Sequence, residues 1–362
     1  MGTLKGKLVL ATLIGFASIN ASTPSAKAVD KMNEVSVKAD GATQISSMSI
    51  PFSDLASSEA KQFFLDLKKQ KFPVGLSVPE MRRWLDSNFF EPVLKKEKAL
   101  YPVTIESQMI GGVRTDVVTP KEGVSPQKKD RVLISVHGGA FMFGGGGTGG
   151  QAEAIPVASL GGYRVVSVDY RMFPEYKFPA ASEDVAAVYR ELLKQYKPEN
   201  IGIYGCSAGG TITAEAVAWF QAHDLPRPGA IGIMCASAGA MGRGDSSKIW
   251  PEDPLAPRGK PSLHFAGYLA GVDRKDPLVA PVFSPEVLKK FPPTLLITGS
   301  RSEESSGAYY SDLQLTKAGV DSELHVFDGL WHGAYMHPEL PENREAEQIV
   351  VEFFNKHLGG RH

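Results

Sequence analysis

The run Gly205-Cys206-Ser207-Ala208-Gly209 constrains this chain more than any other short segment. It follows the apolar residues 201–203 and precedes residues 211–220, whose pattern reads as a helix. A Gly-x-Ser-x-Gly run between a strand and a helix is the pattern of a nucleophile elbow, a sharp turn that holds a serine hydroxyl exposed. The chemistry explains the shape. A hydroxyl is a weak nucleophile near neutral pH and needs a partner base, and N–H groups at a helix start can meet negative charge developing beside it. Gly205 and Gly209 supply backbone without Cβ where strand and helix crowd the turn. An ordinary strand–helix turn is the other reading of the pentapeptide, and the rest of the chain decides against it.

The elbow sits inside a longer alternation. Apolar runs at residues 131–137, 163–168, 201–204, 230–234, 294–298 and 323–327 read as strands, and residues 151–160, 180–196, 308–317 and 342–357 as helices. Near-continuous apolar strands separated by helices imply an α/β fold with a mostly parallel sheet covered on both faces. Ligands of such sheets bind at the carboxyl ends of the strands, where Ser207 and the loop after His137 both fall. Residues 101–110 and 113–119 read as an antiparallel pair turning at Gly111-Gly112, and residues 51–98 as helical. Residues 237–290 interrupt the alternation with Pro, Gly and Trp and read as an insertion that helps form a helical cap over the site.

The first 28 residues are read apart from the fold. Lys5 and Lys7 precede an apolar stretch at residues 8–19, and Ala26-Lys27-Ala28 has the form of a cleavage site. This is the signature of a secretory signal, and the apolar run is short for a membrane span, although an uncleaved N-terminal anchor is the other reading. The expected organisation is a signal peptide at 1–28, an N-terminal arm and helical cap segment at 29–100, and the main α/β domain at 101–358. Export places the protein in a periplasm or outside the cell, with no stable membrane insertion after cleavage. A net charge of −1 offers no basic field for nucleic acid. The 8 histidines show no zinc-type spacing, so neither metal nor cofactor is expected. Cys206 and Cys235 close neighbouring strands; two packed thiols are expected, with a disulfide as the alternative.

Several motifs in order carry a resemblance. His137-Gly138-Gly139-Ala140-Phe141 follows a strand directly; the segments 168–175, 178–181 and 276–281 read VDYRMFPE, FPAA and DPLVAP; residues 325–332 read HVFDGLWH. Together with GCSAGG at 205–210 they resemble the hormone-sensitive-lipase-like esterases of the α/β-hydrolase fold, over about residues 101–357. The resemblance implies hydrolysis of a small-molecule carboxylic ester with a short to medium acyl chain, through a Ser207 acyl-enzyme and His332 as general base. It implies an oxyanion hole from the N–H groups of Gly138, Gly139 and Ala208, since preorganised donors stabilise the tetrahedral oxyanion. Phe141 and Trp331 are the expected walls of an apolar substrate pocket, and His137 the holder of the oxyanion loop. His337 is the weaker candidate for the base. Late elements of such folds often form dimers, which leaves a homodimer open.

The acid departs from the family pattern. The loop Gly299-Ser300-Arg301-Ser302-Glu303-Glu304 carries Ser302 where relatives place aspartate. Three readings follow. Glu303, or less favourably Glu304, substitutes through its longer side chain. Alternatively Ser302 or water orients His332 in a weakened Ser–His pair. In the third reading the chain is a non-catalytic homologue that binds an ester-like ligand. Surface carboxylates in a polar loop are the plain alternative for both glutamates, and the favoured one for Glu304.

Overall fold

A computed structural model of the chain describes residues 35–45, 49–67, 69–70, 73, 75–250 and 267–359, so the signal peptide expected at 1–28 and residues 251–266 of the expected insertion lie outside the described residues. Contacts divide the chain after Pro51. Before that point, in the stretch expected as a polar arm, β1 (Val35–Val37) and β2 (Thr43–Ile45) form a short antiparallel ladder with Val35 opposite Ile45.

The larger unit begins with α1 (Ser58–Leu67), α2 (Val78–Leu85) and α3 (Glu91–Leu100), the last two joined by a π-helical turn at Asp86–Phe90. At the start of α2 the Ser77 N–H and hydroxyl both donate to Glu80 Oε2, at 2.8 and 2.6 Å, and Pro79 occupies the first turn, where no N–H is required.

The sheet strands are β3 (Val103–Ile110), β4 (Val113–Pro120), β5 (Val132–Val136), β6 (Arg164–Val168), β7 (Ile201–Cys206), β8 (Ala230–Met234), β9 (Thr294–Gly299) and β10 (Ser322–Phe327). Between and after them run α4 (Thr148–Gly161), α5 (Ala180–Leu192), α6 (Ala208–Ala222), α7 (Ser246–Ile249), α8 (Pro285–Leu288), α9 (Ser305–Lys317) and α10 (Pro341–His357). The strands form one 8-stranded sheet in the order β10-β9-β8-β7-β5-β6-β4-β3. Only β4 is reversed, pairing antiparallel with β3 and with β6, while every other pairing in the sheet is parallel, so the parallel α/β expectation holds.

Every residue of β5, β7, β8 and β9 is buried, because helices cover both faces. On one face Ile134 and Ile203 pack with Val185 of α5 and Ile212 of α6; on the other Leu133 and Tyr204 pack with Ile155 of α4 and Phe354 of α10. The chain leaves β5 for β6 on one side and then crosses back to β7 on the other. The carboxyl ends of β5 and β7, with Val136 paired to Gly205, therefore flank the point where strand order reverses, which is where such sheets bind ligands.

Candidate active site

Ser207 occupies that point in a strained conformation, φ 55° and ψ −119°, between β7 and α6. Such backbone costs on the order of 1–3 kcal/mol and survives only where its surroundings over-determine it. Here the Ser207 N–H donates to Met234 O at 2.8 Å, and the Thr211 N–H donates to Ser207 O at 3.1 Å. The glycines are required by close approach. A Cβ on Gly209 would lie 1.8 Å from Val136 O, and one on Gly205 2.3 Å from the same oxygen. The sequence context of the elbow thus has a steric cause, the packing of the turn against β5.

Two further loops close on Ser207. His332, after β10, places Nε2 2.8 Å from Ser207 Oγ across 125 residues of sequence. Its other nitrogen, Nδ1, lies 3.3 Å from Glu303 Oε1 and 3.4 Å from Ser302 Oγ, both in the loop after β9. The partners assign the tautomer: Nδ1–H faces the carboxylate, and Nε2 accepts the serine proton. The parallel pairing of β9 and β10, with Gly299 opposite Phe327, brings the acid and histidine loops side by side. Both glutamates depart from the plain surface reading, since Glu303 is 5% and Glu304 6% exposed. Only Glu303 turns to the histidine. Glu304 Oε1 accepts the Gly242 N–H at 3.0 Å, and its own N–H donates to Ser302 Oγ at 3.2 Å. Ser246 of α7 completes the support: its hydroxyl donates to Glu303 O at 2.7 Å and accepts the Ser306 N–H at 2.9 Å. Sequence reasoning did not single out Ser246, because a serine in an irregular insertion carries no pattern.

The loop after β5 corrects one expected oxyanion donor. The Gly138 N–H donates to Glu153 Oε1 at 2.7 Å and is buried, so it does not face a reacting carbonyl. Gly139 (φ 108°) and Ala140 (φ 54°) are half-buried. Among the described residues, the N–H groups of Gly139, Ala140 and Ala208 meet no acceptor. Ala140 therefore replaces Gly138 in the candidate donor set. The motif could not reveal this, since adjacent glycines look alike until the loop's register against the elbow is known. His137 holds this loop: its ring stacks on Tyr170 at 4.3 Å, Nδ1 lies 2.7 Å from Gly138 O, and burial pushes its pKa down. The Tyr170 hydroxyl donates to His137 O at 3.0 Å. Outside the loop, Arg82 of α2 donates to Met142 O at 2.8 Å, to Phe173 O at 2.9 Å and to both carboxylate oxygens of Glu175 at 2.8 Å.

Comparison with known proteins agrees with this geometry. A family model described as the alpha/beta hydrolase fold matches residues 133–336. The chain belongs to the α/β-hydrolase family. An acetyl-hydrolase of Streptomyces hygroscopicus is 30% identical over 255 residues, covering 67% of this chain and 83% of the relative. The crystal structure of an esterase superposes with a TM-score of 0.74 at 31% identity, covering 87% of this chain and 99% of that one. An esterase from the bacterial hormone-sensitive lipase family gives 0.70 at 26%, covering 84% and 99%. The protein is thus a carboxylesterase-type α/β hydrolase of hormone-sensitive-lipase-like kind.

In this hydrolase both expected pocket walls are packed inward. Phe141 is fully buried and stacks on Tyr268, with ring centroids 4.4 Å apart and planes 6° apart. Its positive φ, 62°, turns the side chain down into the core beneath the loop. Trp331 is buried under α1, 5.9 Å from Phe63 and 5.3 Å from Phe64. Adjacency in sequence to a site residue says nothing about which way a ring points, and both rings gain more by joining apolar clusters. His337 is likewise buried against Phe63, 4.3 Å away, and burial lowers its pKa to about 4. Cys206 and Cys235 are free, buried thiols, and the Cys235 sulfur accepts the Gly333 N–H at 3.3 Å. In the glycine run at 144–147, a Cβ on Gly145 would meet Met172 Cε at 2.4 Å and one on Gly147 Asp116 Oδ2 at 2.5 Å, whereas Gly146 is exposed and donates its N–H to Asp169 Oδ1 at 3.0 Å. Among the described residues, no cluster of His, Cys, Asp and Glu is arranged to hold a metal, and no helix is long and apolar enough to cross a membrane.

Proposed function

We propose that the protein hydrolyses carboxylic esters of short to medium acyl chain through a covalent Ser207 intermediate. The observation that carries this reading is the continuous chain from Ser207 Oγ to His332 Nε2, 2.8 Å, and from His332 Nδ1 to Glu303 Oε1, 3.3 Å. As Ser207 Oγ attacks the ester carbon, its proton passes to His332 Nε2. The carbonyl oxygen becomes an oxyanion held by the N–H groups of Gly139, Ala140 and Ala208, the last at the start of α6. Collapse expels the alcohol, which takes the proton from His332. Water, deprotonated by the same nitrogen, then attacks the acyl-enzyme; as the bond to Ser207 Oγ breaks and the acid leaves, Oγ takes the proton back from His332. Glu303 fixes the ring and stabilises the imidazolium formed in each half-reaction. Short acyl chains are favoured by the kinship with an acetyl-hydrolase. The N-terminal leader motif supports export, and the homodimer stays part of this proposal.

Ser302 Oγ, 3.4 Å from Nδ1, supports the second reading, in which the ring is oriented by a hydroxyl and the reaction runs slowly. Initial rates on p-nitrophenyl esters of increasing chain length separate the two. Glu303→Gln at unchanged melting temperature should lower kcat/KM by up to about 10⁴, the scale set by losing a triad carboxylate. A rate near wild type rejects Glu303, and a large gain in Ser302→Asp would then establish the weakened pair.

A further inference from the structure

The most unusual group near the site is a carboxyl the mechanism does not use. Glu153 lies on α4, in a turn whose neighbours Ala152, Ala154 and Ile155 are buried, and is itself 7% exposed. Its Oε1 accepts the Gly138 N–H at 2.7 Å and its Oε2 the Cys206 N–H at 3.2 Å. Gly138 immediately precedes Gly139 of the oxyanion loop, and Cys206 immediately precedes Ser207. One side chain therefore ties together the two loops that must hold nucleophile and oxyanion donors in register. Its own backbone is fixed in turn, since the Tyr204 hydroxyl of β7 donates to Glu153 O at 3.2 Å.

We infer that Glu153 is a positioning residue for ester hydrolysis, clamping the oxyanion loop to the nucleophile elbow through Gly138 and Cys206. This rests on Ser207 being the nucleophile. The physical case is one of cost. Burial raises the Glu153 pKa to about 8, against the pull of both N–H donors. Its surroundings are not cationic: Glu97, Tyr204, Tyr335 and Glu347 line the small pocket beside it. A buried acid amid other acids is destabilising, and an apolar residue at this helical position would pack more cheaply. What the carboxyl alone provides is two oxygens on a short rigid fork, each keeping a lone pair for one N–H from each loop even when one of them carries the proton. A glutamine offers one acceptor and turns its NH₂ toward the other N–H.

The experiment measures wild type, Glu153→Gln, Glu153→Asp and Ser207→Ala. The readouts are p-nitrophenyl acetate kinetics, melting temperature and affinity for an alkyl trifluoromethyl ketone, which adds to an active serine and presents an oxyanion. Glu153→Gln is expected to lose about 100-fold in kcat, the scale of a displacement near 1 Å, with KM nearly unchanged. Ketone affinity should fall by the same factor, and Glu153→Asp should lie between. A folded Glu153→Gln with wild-type kcat and ketone affinity overturns the inference, as does a loss that appears wholly in KM. Failure of both variants to fold assigns Glu153 to stability and also overturns it. Turnover persisting in Ser207→Ala would instead remove the underlying reading of Ser207.

Discussion

At the scale of single residues, the substituted acid is the main departure from the family pattern. Ser302 stands in the aspartate position, yet Glu303 reaches His332 Nδ1 at 3.3 Å because its backbone carbonyl is tied to Ser246. Ser246 therefore acts on the acid through the loop. Removing its hydroxyl frees a buried carbonyl and a buried N–H, a cost on the order of 1–3 kcal/mol. We expect Ser246→Ala to lower the melting temperature and to reduce kcat more than KM as Glu303 loosens. Thermal melts beside steady-state kinetics check this, and an unchanged kcat at reduced stability would detach Ser246 from the site. The meeting of Ser207 with His332 was legible at this scale, because the expected chemistry calls for those residue types after particular strands. Gly138, Phe141 and Trp331 were not, because backbone direction and ring orientation depend on packing that spacing does not encode.

At the scale of elements, the strands and helices of the sheet were legible from apolar runs and 3.6-residue periodicity, with ends differing by a few residues. The region before the sheet was less so: short strands at Val35–Val37 and Thr43–Ile45 lie in a polar stretch where any apolar alternation spans only about three residues, too few to read as a strand. The role of α2 was also hidden, since it depends on one arginine. Arg82 carries hydrogen bonds to the carbonyls of Met142 and Phe173 and an ion pair to Glu175, joining α2 to the oxyanion loop and to the turn after β6. Glu175 is about half exposed, so the ion pair itself contributes little; the two carbonyl bonds and the packing of Phe90 on Met142 and Phe143 matter more. Arg82→Ala should destabilise by about 1–3 kcal/mol, read from chemical denaturation, while Glu175→Gln should change stability by less than about 1 kcal/mol. Equal effects would place the energy in the ion pair instead.

At the scale of the whole molecule, buried titratable groups set the pH dependence of stability. Glu97 and Glu153 have pKa values raised from 4.5 to about 8, chiefly by burial. Between those values the folded chain holds protons that the unfolded chain has lost, so their contribution is full below about pH 4.5 and disappears as pH rises toward 8. His337 acts from the other side: lowered from 6.5 to about 4 by burial, it stays neutral in the fold, and stability is lost as pH falls through that window. Glu97→Gln, away from Ser207, should therefore flatten the fall in melting temperature between about pH 5 and 8. A wild-type slope in that variant would show that other groups govern the alkaline limb. The same global architecture assembles the site, since the parallel order β10-β9-β8-β7-β5 puts the loops after β5, β7, β9 and β10 at one edge of the sheet, where Ser207 meets His332 across 125 residues.

This assembly is expected to form an acyl-enzyme on Ser207. Peptide mapping after reaction with an alkyl fluorophosphonate, beside p-nitrophenyl acetate hydrolysis by Ser207→Ala, tests it most directly. One stoichiometric phosphonyl group is expected on the peptide bearing Ser207, with neither label nor turnover in the alanine variant. A label on another residue, or hydrolysis surviving in Ser207→Ala, would contradict it.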